Sequence, residues 1–333
     1  MTGTIATVAE MEACLGVPPL GVKMKVIDHL DDQARAWIAA SRLAFVGVAG
    51  PDGPRIGAAG GEAGFARTPD ARTLRLPFGA MDDLGPLAAG QGVGLLFLAG
   101  GIGETLRANG RIRAVDAGGV EIDVEECFIH CAKALIRSAF WAAEPCVAPD
   151  GAEAFLAATR FLALATQDAS GRIDISPKGD PAGLLIRRLA GRVVVAERPG
   201  NKLAFGYRNI LQQPRVAALC VIPGATATLT LRGPAQLTAD EALRRDFVVE
   251  ARTPVLALVI DAAPAAPTES PALQRADAWA PDRPPAAIDP AAAFVAHVKL
   301  NRARGVAATV LRMAVNRGLV AKGLESNYRT DLY

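Results

Sequence analysis

Residues 160–171 read RFLALATQDASG, and residues 42–53 read RLAFVGVAGPDG. Each stretch is an apolar run that ends in a glycine-containing turn, which is typical of a buried strand entering a hairpin. Each is preceded by an amphipathic helical segment, ARAWIAAS at 34–41 and AEAFLAAT at 152–159. The two units are offset by 118 residues (160 − 42), and their apolar positions coincide. The pattern indicates that one structural unit occurs twice in the chain.

The similarity between the two halves continues in the same order along the chain. VGLLFLAGGIGETLRANG at 93–110 overlies VAALCVIPGATATLTLRG at 216–233, at an offset of 123 (216 − 93). Residues 122–141 and 260–279 share Ile-Asp, Ala-Leu, Arg and Trp at an offset of 138 (279 − 141). Collinear blocks with growing offsets are expected from a tandem duplication that gained insertions in its second copy.

The spacing of strands and turns predicts a mainly β (α+β) fold. Short apolar runs separated by turn residues favour an antiparallel barrel over βαβ units. In the second half these runs are 161–166, 172–176, 184–189, 192–196, 216–222, 226–231 and 256–261. We expect a first barrel over 1–148, a second over 149–285 and a helical tail over 286–333, with 262–290 mostly extended. A charged insertion at 239–252 is predicted to form a short helix.

Composition narrows the class of protein. The chain has 333 residues, 51% of them hydrophobic, which suffices for two packed cores, and its net charge of +2 gives no reason to expect nucleic-acid binding. The five cysteines form no disulfide framework, so we expect reduced thiols in a cytoplasmic protein. No apolar run approaches the roughly 20 residues of a membrane helix. The group Cys127, His130 and Cys131 has too few ligands for a zinc site, and no metal is predicted.

Four polar segments are candidates for a binding site. SPKGD at 176–180 and RPGNK at 198–202 each follow a strand and combine cations with a glycine that exposes backbone N–H groups, as phosphate binding requires. Taken singly, each is also compatible with a solvated hairpin turn. The first half instead has ETLRANGR at 104–111 and HCAKALIRS at 130–138, which are also compatible with a charged strand face and a capped helix.

Taken together, and with RNIL at 208–211, these segments resemble the motif series of the pyridoxamine 5′-phosphate oxidase-like, FMN-binding split-barrel proteins. The resemblance extends over both halves to about residue 279, and it is to a branch other than the vitamin B6 enzyme itself. It implies a six-stranded split barrel that dimerises and binds FMN at the interface, with contacts from both subunits. Two tandem barrels would then form an intramolecular pseudo-dimer.

The two halves depart from the family pattern in complementary ways. The first has AAGGE at 58–62 and FGAMD at 78–82 in place of the phosphate motifs, whereas the second has lost the strand and helix motifs at 226–232 and 271–275. The resemblance therefore implies one FMN per chain, at the seam. The implied cofactor-binding residues are Ser176, Lys178, Arg198, Asn201 and Lys202 from the second half and Glu104, Thr105, Arg107, His130 and Lys133 from the first.

The predicted function is an FMN-dependent oxidoreductase acting on a small-molecule substrate or electron donor or acceptor. His130 is the candidate catalytic residue, because an imidazole exchanges protons near neutral pH. The alternatives are a non-catalytic flavin carrier or sensor, and a haem-handling split barrel with His130 as axial ligand. The chain could act as a monomeric pseudo-dimer or as a homodimer of it. The basic tail could be a solvated helix face or could contact an anionic surface.

Overall fold

A computed structural model of the protein describes residues 3–279, 285 and 287–333. The chain begins with β1 (Thr4–Ile5), α1 (Val8–Leu15), α2 (Leu20–Met24) and α3 (Asp32–Ala40). The first sheet follows, with β2 (Leu43–Val48), β3 (Arg55–Gly60), β4 (Thr73–Pro77), β5 (Gly92–Leu98), β6 (Thr105–Asp116) and β7 (Gly119–His130). All its pairings are antiparallel, in the order β3-β2-β5-β6-β7-β4.

Two helices, α4 (Lys133–Arg137) and α5 (Ala152–Ala158), connect the first sheet to the second. The second sheet contains β8 (Phe161–Gln167), β9 (Ile173–Gly179), β10 (Ile186–Leu189), β11 (Arg192–Ala196), β12 (Arg215–Val221), β13 (Ala227–Thr238) and β14 (Ala257–Ile260). Helices α6 (Phe205–Gln212) and α7 (Glu241–Arg244) lie between its strands, and β15 (Thr268–Glu269) and α8 (Pro271–Ala276) follow it. The tail contains α9 (Pro290–Leu300), α10 (Val306–Ala314) and α11 (Arg317–Thr330).

The two sheets have the same strand order. The second runs β9-β8-β12-β13-β14-β11, with β10 added at its end, which repeats the order of the first sheet strand for strand. This supports the repeat found in the sequence and corrects one detail of it. Leu43 pairs with Gly60, whereas Phe161 pairs with Gly179, so β9 is offset from β3 by 119 residues (179 − 60). Residues 57–61, and not 58–62 as predicted, therefore correspond to 176–180.

The unbroken apolar run in β2 is explained by burial on both faces. Ala44 and Val46 point into the core of the first barrel, while Leu43 and Phe45 point into a second core shared with the other sheet. We call this shared core the seam. Phe161 of β8 stacks on Phe45 there, with ring centroids 5.4 Å apart. A strand buried on both sides has no polar face, so it shows no hydrophobic alternation.

The ends of the chain cross between the barrels. Strand β1 pairs with β13, and Met11 of α1 lies in the core of the second barrel. At the other end, α9 packs on the first barrel, where His297 lies against Asp31 and the backbone carbonyl of Lys25. The crossing brings α1 and the tail to the rim of the seam.

The predicted fold class is confirmed: the protein is mainly β, with split-barrel sheets and helices at both ends. The predicted extended connection over 262–290 is wrong in part, because helix α8 lies within it; residues 280–284 and 286 of that range lie outside the described residues. The predicted helix at 239–252 is present as α7, followed by a 3-10 turn at Arg245–Phe247. Within the described part of the chain, no helix is both long and apolar enough to cross a membrane.

Candidate functional site

A cavity of about 310 Å³ opens at the seam and is lined by both halves of the chain. The first half contributes the start of β6, the end of β7 and α4, and the second contributes β9, the loop after β11 and α6. We call it the seam cavity. Its polar and charged lining side chains include Arg107, His130, Arg137, Ser176, Lys178, Glu197, Arg198, Asn201, Lys202, Tyr207 and Asp331.

Arg107 is the main polar link across the seam. Its guanidinium forms an ion pair with Asp174 of the other half, donates to Nε2 of His130 at 2.6 Å, and reaches Oγ of Ser176 at 3.4 Å. Its Cζ lies 4.7 Å from the ring centroid of Phe128, a cation–π geometry. Only 2% of the residue is exposed, so this charge is held rigidly at the cavity wall.

The hydrogen bond from Arg107 fixes the state of His130. A guanidinium only donates, so Nε2 must be the unprotonated acceptor and the imidazole proton lies on Nδ1. Burial lowers the pKa of His130 well below its ordinary value, and the charges of Arg107, Lys25 and Lys178 lower it further. His130 is therefore a neutral side chain with an N–H group, and the arrangement disfavours both proton acceptance at Nε2 and an axial metal bond there.

Lys178 is held by two neighbours in the second half. Its ammonium forms an ion pair with Glu197 and donates to the hydroxyl of Tyr207 at 2.7 Å. The Tyr207 hydroxyl in turn donates to Glu197. Burial and the adjacent Glu197 carboxylate raise the pKa of Tyr207 well above its usual value. The three groups form a closed polar cluster on the cavity wall.

Arg198 and the loop that follows it form another part of the cavity lining. The Arg198 guanidinium is paired with the fully buried Asp180 and donates to the Leu184 carbonyl at 3.3 Å. Lys202 and Ala204 adopt left-handed backbone angles, with φ of 61° and 52°. Such strain in residues other than glycine is retained mainly where the surrounding structure or a function imposes it. Lys202 is exposed and has no ion-pair partner among the described residues, so its charge is available to a ligand.

Three predicted residues do not line the seam cavity. Thr105 is fully buried and its hydroxyl lacks a hydrogen-bond partner, whereas Glu104 accepts a hydrogen bond from Tyr328 at 2.7 Å. Lys133 is buried behind the wall and is bound by Asp331 of the tail, with Nζ to Oδ2 at 2.7 Å. The structure thus brings together Ser176, Lys178, Arg198, Asn201, Lys202, Arg107 and His130, and places the other three behind them.

Sequence reasoning missed Arg137, Glu197, Tyr207 and Asp331 as parts of this site. Arg137 donates to the carbonyls of Gly179, Pro199 and Leu332. Its recurrence as Arg275, which donates to the carbonyl of Gly60, was visible in the repeat and marks an equivalent position in both copies. Asp331 lies about 200 residues from its partner Lys133 along the chain, and no local pattern could have indicated that contact.

The equivalent position at the other end of the seam is closed. Asp82 occupies the place that corresponds to Asn201, and its carboxylate accepts from the hydroxyl of Ser270 at 2.6 Å and the backbone N–H of Ala272 at 3.0 Å. Strand β4 is offset from β11 by 119 residues (193 − 74), so residues 79–83, and not 78–82 as predicted, correspond to 198–202. The residues corresponding to Lys178 and Arg198 are therefore Ala59 and Gly79. Arg275 is present at this end as the equivalent of Arg137, but among the described residues the counterparts of Lys178, Arg198 and Asn201 supply a carboxylate and no cation, which disfavours a phosphate there.

The residues of the seam cavity fit a flavin mononucleotide in charge and polarity. Its lining contains more cationic than acidic side chains, and Lys202 and Arg137 have no carboxylate partner among the described residues. Phosphate is bound by such cations and by exposed backbone N–H groups, here in the turn around Gly200. Leu164, Leu185 and Phe205 supply apolar surface for a planar ring. Within the described residues, no group of three or more His, Cys, Asp or Glu side chains is arranged to hold a metal ion.

Comparisons with known proteins give one family and several distant structures. The profile of the pyridoxamine 5′-phosphate oxidase family matches residues 148–280. The chain is similar to HupZ of Group A Streptococcus, with 17% identity over 34% of this chain and 86% of that chain and a TM-score of 0.27. It is similar to an F420 reductase with 18% identity over 36% of this chain and 98% of that chain and a TM-score of 0.27. It is also similar to a pyridoxamine 5′-phosphate oxidase-related, FMN-binding protein of Nostoc punctiforme, with 15% identity over 31% of this chain and 71% of that chain and a TM-score of 0.22. No curated protein is significantly similar to the chain.

Proposed function

We propose that the chain binds one FMN in the seam cavity and uses it as an oxidoreductase, because residues 148–280 match the profile of the pyridoxamine 5′-phosphate oxidase family. The predicted family is confirmed by that match. The observation that carries the proposal is the seam cavity itself, where Arg107 of one half faces Lys178, Arg198 and Lys202 of the other. The closed position at Asp82 supports a single flavin per chain.

Different residues of the chain would bind different parts of FMN. Lys202 and Arg198, with the backbone around Gly200, would hold the phosphate, and Ser176 would add a hydroxyl. Arg107 would place a fixed positive charge beside the ring from the other half. When bound, FMN would supply the electron and hydride transfer chemistry, while the protein supplies placement and electrostatics.

His130 would act as a positioning residue and not as a proton acceptor. Its neutral Nε2 receives the Arg107 hydrogen bond, which orients the guanidinium toward the cavity. The same hydrogen bond occupies the atom that would bind haem iron, so the geometry favours flavin over the haem alternative. We therefore propose a supporting role for His130 in place of the catalytic role for which the sequence made it a candidate.

The proposal is tested by the visible spectrum and flavin stoichiometry of the purified protein. We expect flavin bands and one FMN per chain. The double variant Arg198→Ala, Lys202→Ala should lose binding, because it removes the phosphate cations. The matched control is Arg188→Ala, Arg192→Ala on the neighbouring β10–β11 hairpin, whose side chains lie outside the cavity lining. Two flavins per chain, a Soret band, or undiminished binding in the first variant would contradict the proposal.

Reduction and reoxidation separate an oxidoreductase from a carrier or sensor. The flavin-loaded protein is mixed with NADH or NADPH and then with oxygen or another acceptor, and the flavin bands are followed. We expect bleaching and recovery over repeated turnovers with at least one donor–acceptor pair. A bound flavin that no donor reduces would favour the carrier.

A further inference from the structure

Residues 328–333, which we call the C-terminal segment, lie against the wall of the seam cavity. The Tyr328 hydroxyl donates to Glu104 at 2.7 Å and accepts from the backbone N–H of Ala132 at 3.1 Å. The Leu332 carbonyl accepts from Arg137 at 2.7 Å. The segment therefore contacts the first-half residues that stand behind the cavity, although it comes from the far end of the chain.

The contact of Asp331 with Lys133 differs from the other ion pairs around the cavity. Lys133 is 1% exposed, and both hydrogen-bond acceptors of its ammonium, the side chain and the backbone carbonyl, belong to Asp331. The Asp331 side chain, in contrast, is 51% exposed and itself lines the cavity. A buried cation needs a partner, and here the partner is a half-exposed carboxylate that can leave without creating a buried negative charge.

Helix α11, which ends directly before Asp331, buries little apolar surface. Helix α11 has no buried residue, and its ion pairs Arg317–Asp289 and Arg329–Glu325 lie on the surface. Segments with little buried apolar area detach at low free energy, before the domain unfolds. The C-terminal segment adds a cation–π contact of Tyr333 with Arg198, at 5.4 Å, and a hydrogen bond from Arg252 to the Tyr333 carbonyl. It contributes no residue to the apolar cores, so we expect that it can leave the cavity wall while both barrels stay folded.

We propose that Lys133 and Arg137 form an anion subsite adjoining the seam cavity, and that Asp331 fills it until an anionic reactant displaces it. The ligand class is a small molecule with a carboxylate or phosphate group. Lys133 then exchanges one carboxylate for another anion, and Arg137 exchanges the Leu332 carbonyl for a ligand oxygen. The part of this inference that makes the ligand the reaction partner of the flavin rests on the proposed function.

The test follows the C-terminal segment by hydrogen–deuterium exchange, with and without FMN, during titration with inorganic phosphate and, separately, succinate. In the wild type we expect exchange of peptides covering 317–333 to rise with anion concentration. In Asp331→Asn the exchange of these peptides should rise at about tenfold lower anion concentration, because the side chain that competes with the added anion for Lys133 has lost its charge. Glu325→Gln removes a carboxylate of the same helix that does not contact Lys133, and it should respond like the wild type.

Lys133→Gln should lose the anion response, since the buried cation of the subsite is gone. Exchange that no anion changes in the wild type, or an equal response in Lys133→Gln, would overturn the proposal. So would an unchanged midpoint of the anion titration in Asp331→Asn, a variant whose altered side chain is half exposed and still offers Lys133 an amide oxygen and the backbone carbonyl. If FMN fails to bind while the anion response persists, the proposed function fails and the subsite stands.

Discussion

Arg107 is a buried cation of the site, and its ion-pair partner, Asp174, lies in the other half of the chain. Asp174 accepts from Arg107 and also from the side-chain amides of Asn109 and Asn209, each at 3.0 Å. Burial lowers the pKa of Arg107 from its ordinary value, and the pairing with Asp174 opposes this change. The pair is thus a buried one, for which removal of a single partner is more damaging than removal of both.

The first prediction concerns this pair. Arg107→Met should lower the free energy of unfolding by about 3–5 kcal/mol, because Asp174 stays buried without its cation. Arg107→Met combined with Asp174→Asn should recover most of the loss. Both are measured by urea denaturation, with Arg113→Met on the exposed end of β6 as the control, which should stay close to the wild type. A double variant no more stable than Arg107→Met would contradict this account.

The second prediction concerns His130 and pH. Its folded-state pKa is held well below the value of about 6.5 for an unfolded imidazole. As the pH falls below about 6.5, the unfolded chain therefore binds a proton that the folded chain does not. The contribution of His130 to stability is complete above that pH and declines on acidification, by at most about 1.4 kcal/mol per pH unit.

The His130→Gln variant should show a shallower loss of stability than the wild type between about pH 7 and about pH 5, as measured by urea unfolding at each pH. Gln still accepts the Arg107 hydrogen bond but does not titrate. His29→Gln, at a residue that contacts Asp28 away from the seam, controls for the loss of a histidine as such. If the unfolding free energies of wild type and His130→Gln changed equally with pH, the His130 imidazole would have the same pKa in the folded and the unfolded chain, contrary to this prediction.

At the scale of elements, strand β9 and helix α4 pack so closely that only glycine fits between them. A Cβ on Gly179 would lie 1.9 Å from the carbonyl oxygen of Ala134, and a Cβ on Gly60 would lie 2.3 Å from that of Ala272. These two contacts are related by the repeat, one at each end of the seam. They give a matched pair of substitutions that disturb the same packing near the cavity and away from it.

The third prediction uses that pair. Gly179→Ala and Gly60→Ala should each destabilise the protein, by about 1–3 kcal/mol, because the helix must move away from the strand. Only Gly179→Ala should also weaken FMN binding, because α4 and β9 line the seam cavity. Thermal unfolding and a flavin titration measure the two effects. Equal losses of flavin affinity in both variants would argue against a single site.

At the scale of the whole molecule, the seam core holds the halves together. Residues of both sheets and of α4 and α8 contribute to it, and α1 and α9 cross between the barrels. Separated halves would expose this apolar surface to water, which is strongly unfavourable. The covalent link between them passes through Val147, which is 96% exposed.

The fourth prediction follows from this packing. A chain cleaved at a protease site introduced at Val147 should remain one particle in size-exclusion chromatography and keep its flavin, because the link is not part of the seam. An uncleaved sample of the same variant is the control. Separation of the fragments under native conditions would show that the link, and not the seam, maintains the site.

The sequence predicted the barrels and much of the candidate site, because these depend on local patterns. The apolar run and turn at 160–171 predict a strand and hairpin from local pattern alone. Because the same pattern occurs twice, two barrels were predicted. Ser176, Lys178, Arg198, Asn201 and Lys202 could be named as candidates because they lie close together in two short turns, and the folded chain places all five on one cavity. The family match over 148–280 agrees with the predicted family.

Only the tertiary structure decided which of these charges are already paired. Lys178 with Glu197, Arg107 with Asp174, and Lys133 with Asp331 are separated by 19, 67 and 198 residues. Coulombic attraction depends on distance in space and on burial, and neither can be read from the order of residues in the sequence. The repeat therefore indicated where a seam would form, but only the folded chain shows a cavity with several cationic side chains at one end and the hydrogen-bonded Asp82 carboxylate at the other.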